Sequence, residues 1–286
     1  MKTEPSRTVK QALELSHCLQ ELSDSWKLDG ELLLAHVLGK SREYLYTWPD
    51  AQVSQEHLNT FRQLLDRRSK NEPVAYLTGR QAFWDFELAV NPHVLIPRPE
   101  TEVLVEKALE LAEALGKETI SFADLGTGSG AIAIALAKQN TQWQVTALDK
   151  SEPALAVAEQ NAAALKINNI HFVVSSWCAE VNEQSFDIIA ANPPYVETGD
   201  QHLSEGSLPF EPIAALVASN HGLSDIQQIV KQSAERLNDG GWLVIEHGFD
   251  QSKAVVDLLQ TAGFNRCGSE TDLAGIPRIA FGQWLN

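Results

Sequence analysis

Ile120-Ser121-Phe122-Ala123-Asp124-Leu125-Gly126-Thr127-Gly128-Ser129-Gly130-Ala131 decides the fold. The apolar run Ile120–Leu125 stops at alternating glycines, and an apolar helical stretch, Ala131–Lys138, starts immediately after them. A short apolar run bounded by glycine reads as a buried strand. Glycines at its end let the backbone turn tightly and approach a ligand, with helix N–H groups left to bind it. Working outward, further strands are expected at Gln144–Leu148, His171–Val174, Phe186–Ala191, Trp242–Glu246 and Ile279–Trp284. Helices are expected at Pro153–Leu165, Ser224–Leu237 and Ser252–Ala262. This alternation implies an α/β fold, a doubly wound and mostly parallel sheet with helices on both faces. The lack of a helical pattern before the last strand suggests that it inserts antiparallel.

Upstream the pattern is helical, over Val9–Leu22, Gly30–Leu38 and Gln55–Ser69. Leu32, Leu33, His36 and Val37 share one face, as do Leu58, Phe61, Leu64 and Leu65. A small helical domain over residues 1–78 is therefore expected. Alternation from Gln81 to Val90 predicts a β-hairpin, and Val94-Leu95-Ile96-Pro97-Arg98-Pro99 a stiff extended connector, so residues 79–100 link the helical part to a catalytic domain over 101–286. Pro99, Thr101 and the acidic residues after them mark a helix start. Residues 196–222 read as a long loop, a length typical of lids and binding loops.

The chain has 286 residues, 44% hydrophobic and 21% charged, which suits one sizeable core plus a smaller unit. Its formal charge of −16 is uneven. Residues 1–85 hold 11 basic against 12 acidic residues, and residues 86–286 hold 11 against 26, net −15. Such an acidic part is a poor partner for phosphate backbones, so no direct nucleic-acid binding is expected. The charge also keeps a surface soluble. Cys18, Cys178 and Cys267 are far apart with no C-x-x-C pair, which argues for a reducing compartment and against a disulfide framework or a zinc site; no metal is expected. Met1 to Ser6 carries charges and no apolar core of a signal peptide, and the purely apolar stretch Ala131–Ala137 is too short to span a bilayer. A cytoplasmic protein without membrane attachment is expected.

Asp149 ends the second strand, about 20 residues past the glycines, where a carboxylate can hold a ribose diol. A nucleotide-like cofactor follows from these two features. Gly126-x-Gly128-x-x-Ala131 also satisfies the relaxed dinucleotide fingerprint, so the glycines leave a nicotinamide dinucleotide open. Asn192-Pro193-Pro194-Tyr195 follows the fourth strand. Two prolines cannot extend a strand, so the chain breaks where an open α/β sheet has its binding crevice. Asn192 then offers an amide oxygen and an amide NH2, and the adjacent carbonyls escape ladder pairing. Convergent acceptors suit a planar NH2 group, and Tyr195 can cover its plane. The same four residues alone would equally make an ordinary turn.

Together, D-x-G-x-G-x-G after the first strand, an acid after the second and N-P-P-Y after the fourth resemble the S-adenosylmethionine-dependent amino methyltransferases, which implies a Rossmann-like fold and that cofactor. With Leu95-Ile96-Pro97-Arg98-Pro99-Glu100-Thr101-Glu102, Phe210-Glu211-Pro212 and Asp272-Leu273-Ala274-Gly275-Ile276-Pro277-Arg278, the whole chain is similar to the bacterial release factor glutamine methyltransferases. That family methylates the glutamine side-chain nitrogen in the Gly-Gly-Gln loop of class 1 peptide chain release factors. A sister family acting on a ribosomal protein shares N-P-P-Y but looks different at the connector. The resemblance implies that Gly126, Thr127, Gly128, Ser129 and Gly130 hold the methionine part of the cofactor. It implies that Asp149 takes the ribose hydroxyls and that Trp177 lies against adenine. Asn192 would contact both cofactor and substrate amide, with Pro193, Pro194 and Tyr195 completing the substrate pocket; Asn192, Pro193 and Tyr195 carry the catalysis. Ser176 stands where the family commonly has an acidic residue, which puts cofactor affinity in doubt, and Cys178 stands where relatives tend to carry an aromatic. Arg98 is expected to pair with nearby acids; Glu246-His247-Gly248, ending the fifth strand, is placed where a base could stand but is expected to cap or pack; and Phe210, Glu211 and Pro212 are expected to belong to a lid. Two other classes compete: an amino methyltransferase acting on an exocyclic base nitrogen, which needs a basic track and a flipped base, and a non-catalytic cofactor-binding protein.

Overall fold

Seven strands pair into one sheet: β1 (Ser121–Leu125), β2 (Gln144–Asp149), β3 (Ile170–Val174), β4 (Phe186–Ala191), β5 (Leu237–Glu246), β6 (Asn265–Thr271) and β7 (Pro277–Gln283). This computed structural model describes residues 7–285. The strand order is β6-β7-β5-β4-β1-β2-β3. Neighbours from β5 to β3 run parallel, and β7 lies antiparallel to both β5 and β6. The expected antiparallel insertion is thus present. Because order reverses between β1 and β4, their carboxyl ends diverge and open a crevice there.

The middle strand shows why both faces are covered. Every residue of β4 is buried. Alternate residues of a strand face opposite sides. Ile188 and Ala190, with Phe122, Val145 and Val244, meet helices α1 (Thr101–Leu115) and α2 (Ala131–Gln139) in one apolar cluster. Ile189 and Ala191, with Ala123, Leu148 and Ile245, meet α4 (Ser224–Ala234) and α5 (Ser252–Thr261) in another, while α3 (Glu152–Ala164) follows β2. Each large side chain buried this way contributes about 1.5–3 kcal/mol. Asp187 interrupts the apolar run of β4 yet is satisfied, accepting from Ser121 N–H at 3.0 Å, Asn238 Nδ2 at 2.9 Å and Lys117 Nζ at 2.6 Å.

Contacts divide the chain into two units. One extends to Arg80 and takes in Ser204–Phe210; the other holds Gln81–Leu203 and the chain from Glu211 onward. The first is helical, with Trp26–Leu38, Arg42–Thr47, Gln55–Arg68 and Val74–Thr78 joined by an α-then-3-10 segment at Val9–Leu19. Leu58, Phe61, Leu64 and Leu65 are buried as expected. The face of Trp26–Leu38 differs: Leu33 and Leu34 are buried, whereas His36 is exposed. Gly30 lies inside that helix, not at its start. A Cβ there would come within 2.0 Å of Ser16 Oγ, so close approach is the reason for glycine. Where the first unit ends, Arg80–Phe83 and Phe86–Ala89 form the expected hairpin, turning at Trp84-Asp85 with Trp84 at φ 57.

Candidate functional site

The glycine turn is held by three of its own N–H groups. Gly126 and Thr127 donate their N–H groups to the Leu148 carbonyl at the end of β2, at 2.8 and 2.9 Å. Gly128 N–H donates to Asp149 Oδ2 at 3.0 Å. Gly126, Gly128 and Gly130 have φ of 77, 55 and 86, a region that side chains with a Cβ rarely enter. At Gly126 space matters as well, because a Cβ would sit 3.2 Å from the Trp177 ring. Gly130 has another neighbourhood: its Cβ would meet Ala158 and Ile134, so this glycine serves helix packing behind the turn.

Asp124, fully buried beneath the turn, accepts from Thr127 Oγ1 at 2.6 Å and from Ala133 N–H at 3.0 Å, and its Oδ1 has no partner. Burial pushes its pKa up to about 7, against the downward pull of those two hydrogen bonds. The folded chain therefore keeps a proton that the unfolded chain releases near its ordinary value of about 4. Asp124 favours folding most at low pH and loses that contribution as pH rises towards 7. Asp124→Asn removes the titration, so its Tm relative to the parent should rise from about pH 5 to about pH 8. A Tm difference independent of pH would contradict this.

A cavity of about 400 Å³ opens at the carboxyl ends of β1, β2 and β4. Gly126, Thr127, Gly128, Ser129, Asp149, Trp177, Asn192 and Pro194 line it. Gly130, Pro193 and Tyr195, also expected at the site, do not reach its wall. Asp149 accepts from Ser151 N–H at 2.9 Å as well as from Gly128, and its desolvation raises its pKa. The carboxylate still has acceptor capacity left for a ligand. Trp177 is held at φ 54, with Ser175 Oγ donating to its carbonyl at 2.7 Å. Ser176, exposed, also lines the cavity.

Asn192 and Tyr195 connect to Thr101, which the sequence reading did not place in the site, and to Glu246, which it read as capping or packing. Asn192 Nδ2 donates to Thr101 Oγ1 at 3.0 Å, and Thr101 Oγ1 donates to Glu246 Oε2 at 2.8 Å. Tyr195 OH reaches the other oxygen of Glu246 at 3.3 Å. Glu246, the last residue of β5, is 1% exposed. Burial pushes its pKa up to about 7, with Thr101 and Tyr195 pulling down and Glu100 adding to the rise. Burial likewise raises the Tyr195 phenol, so it stays a neutral donor. Thr101 was legible as a helix start and Glu246 as a strand end; nothing local in the sequence says that they touch.

Arg98 pairs with Glu211 at 2.5 Å, as its expected role required, and the same buried carboxylate accepts from Ile96 N–H at 3.0 Å. Connector and loop are thereby clasped together. The loop is more ordered than its length suggested, since Val196–Glu197 pairs with Val217–Ala218. His247 is fully buried, with Nδ1 against the Gly248 carbonyl at 2.8 Å, and burial lowers its pKa. It does not line the cavity, in keeping with packing.

Two family models match the chain: the PrmC N-terminal domain over residues 13–79 and the methyltransferase small domain over residues 101–206. The release factor glutamine methyltransferase of Pseudomonas aeruginosa is 48% identical over 262 residues, 92% of this chain and 94% of that one. The protein of the same name from Vibrio cholerae is 44% identical, covering 98% of each chain. A Thermus thermophilus 16S rRNA methyltransferase solved in complex with AdoMet and guanosine superposes with a TM-score of 0.52 at 19% identity, over 72% of this chain and 49% of that one, a likeness of fold alone. No helix among the described residues is long and apolar enough to cross a membrane. With such identities across nearly its full length, the chain belongs to the release factor glutamine methyltransferase family.

Proposed function

We propose that this S-adenosylmethionine-dependent methyltransferase modifies the side-chain nitrogen of the glutamine in the Gly-Gly-Gln loop of class 1 peptide chain release factors. The observation that carries the reading is Asn192 at the cavity wall, its Nδ2 committed to Thr101 and its Oδ1 left as an acceptor. The residues present fit the cofactor. The cavity has the size of a small-molecule site. Gly126 to Ser129 offer a cradle that a side chain on Gly126 would crowd. Asp149 retains acceptor positions for a ribose diol, and the Trp177 ring lies over Gly126 where adenine can stack. Ser176 can bond an adenine amino group without charge assistance.

S-adenosylmethionine, when bound, supplies a methyl group on a sulfonium whose charge disperses as the methyl leaves. The protein's work is positioning. A glutamine amide nitrogen is a poor nucleophile because its lone pair is delocalised into the carbonyl. Asn192 Oδ1, at the cavity wall, accepts an N–H of that amide, which aims the nitrogen and raises its electron density, while the Pro193 carbonyl, expected as a second acceptor, lies behind the wall. Pro194 lines the cavity beside Asn192, and Tyr195, off the wall, anchors the turn to Glu246. No side chain has to remove a proton beforehand, since the nitrogen becomes acidic only on receiving the methyl and then releases its proton to solvent.

Asp149→Ala should weaken binding of the cofactor and of its demethylated product alike, because both carry the same ribose. The expected loss is roughly 1.5–3 kcal/mol, the range of hydrogen bonds to charged groups. Calorimetry showing unchanged affinity would contradict the assignment.

Glutamine and base amines are geometrically alike, so charge separates the two substrate classes. The net −15 over residues 86–286 opposes a polyanion. Methyl transfer to purified release factors should be insensitive to moderate salt and should vanish when the loop glutamine is replaced. Transfer to RNA or DNA that falls steeply with salt would favour a nucleic-acid substrate instead.

A further inference from the structure

We propose that Thr101 and Glu246 are positioning residues that set which end of the Asn192 amide faces the substrate, so that the site accepts a nitrogen presenting N–H and rejects an acceptor-only group. The proposal rests on the reading of Asn192 as the residue that binds the substrate amide.

The two ends of a carboxamide have the same shape and opposite polarity, so hydrogen bonding alone decides between two orientations. Here the decision is made from behind. In its ionised form Glu246 can only accept, so the carboxylate takes the single proton of the Thr101 hydroxyl at 2.8 Å. The hydroxyl then has only lone pairs to turn towards Asn192, at 3.0 Å, and Asn192 must answer with Nδ2. Its Oδ1 is left at the opposite end. The reversed amide would set two acceptors against each other, or strip a buried carboxylate of its donor; either outcome is expensive away from water. Tyr195 OH takes the second oxygen of Glu246 at 3.3 Å. Both ends of the Asn192–Tyr195 turn are thus fastened to one carboxylate, the first through Thr101 and the last directly.

Elements far apart in sequence meet in this relay: the start of α1 at Thr101, the β4 turn at Asn192 and the β5 end at Glu246. It gives Arg98-Pro99-Glu100-Thr101-Glu102 a second task beyond the Arg98–Glu211 clasp, namely delivering one hydroxyl to the back of Asn192.

Thr101→Val keeps the shape and removes the hydroxyl, while Thr101→Ser keeps the hydroxyl. Steady-state methylation of whole release factor is measured for both, beside cofactor affinity by calorimetry and Tm. Thr101→Val should lose about tenfold or more in kcat, with cofactor affinity within about twofold, and Thr101→Ser should recover most of the loss. Should Thr101→Val fail to fold, Glu246→Gln answers the same question. Its amide can point a donor at Thr101 and release the lock, so kcat should fall there too. Wild-type kcat in whichever of the two variants folds overturns the relay, as does a loss confined to cofactor affinity or a Thr101→Ser variant no better than Thr101→Val. Wild-type turnover in Asn192→Ala would instead overturn the underlying substrate reading, so the two failures are distinguishable.

Discussion

Asn192→Ala is expected to lose on the order of 100-fold or more in turnover, the size seen when one preorganised polar contact to a reacting group is removed. Asn192 is half-buried at the cavity wall and its side chain bonds to Thr101, so truncation leaves Thr101 with Glu246 as a partner and the fold intact. Cofactor binding should therefore persist far better than turnover. Near-normal methylation by a folded Asn192→Ala protein would remove the central catalytic role.

The second large effect concerns how one protein is chosen among many. A single glutamine in a cavity of about 400 Å³ offers far less contact than a specific protein interface requires. The helical part, residues 1 to about 78, is the proposed second surface: residues 1–85 are close to neutral, with 11 basic and 12 acidic residues. Removing residues 1–75 should leave cofactor affinity largely intact and raise KM for whole release factor by about 10- to 100-fold, the cost of losing a few strong contacts. A short Gly-Gly-Gln peptide should be a poor substrate for both forms, with little difference between them. A truncated, soluble protein that methylates whole release factor as efficiently as the full chain would reduce the helical part to a structural cap.

The parts legible in the sequence were those whose cause is local. The run from Ile120 to Ala131 shows strand, turn and helix because burial and left-handed backbone leave apolar and glycine residues in order. Asn192-Pro193-Pro194 ends β4 because proline cannot extend it. What escaped notice depends on contacts between distant segments. β6, Asn265–Thr271, is an edge strand of mixed polar residues with no apolar alternation, recruited by β7 alone. β5 begins at Leu237, five residues before Trp242, across an irregular register that its glycines disguise as a loop. Trp26–Leu38 was cut short at Gly30 because glycine signals a boundary, whereas Ser16, packed against it, is the reason. The Thr101–Glu246 bond joins residues 145 apart, so no spacing rule could have revealed it. Gly130 followed the opposite course: it belongs to the glycine motif, yet Ala158 and Ile134 account for it without a ligand.

The most direct test is to incubate the protein with labelled S-adenosylmethionine and purified class 1 release factors, then map the modified residue by tandem mass spectrometry. A single added methyl on the side-chain nitrogen of the Gly-Gly-Gln glutamine, absent with Asn192→Ala, is the predicted result. Methylation of any other residue, or of nucleic acid in place of release factor, would contradict it.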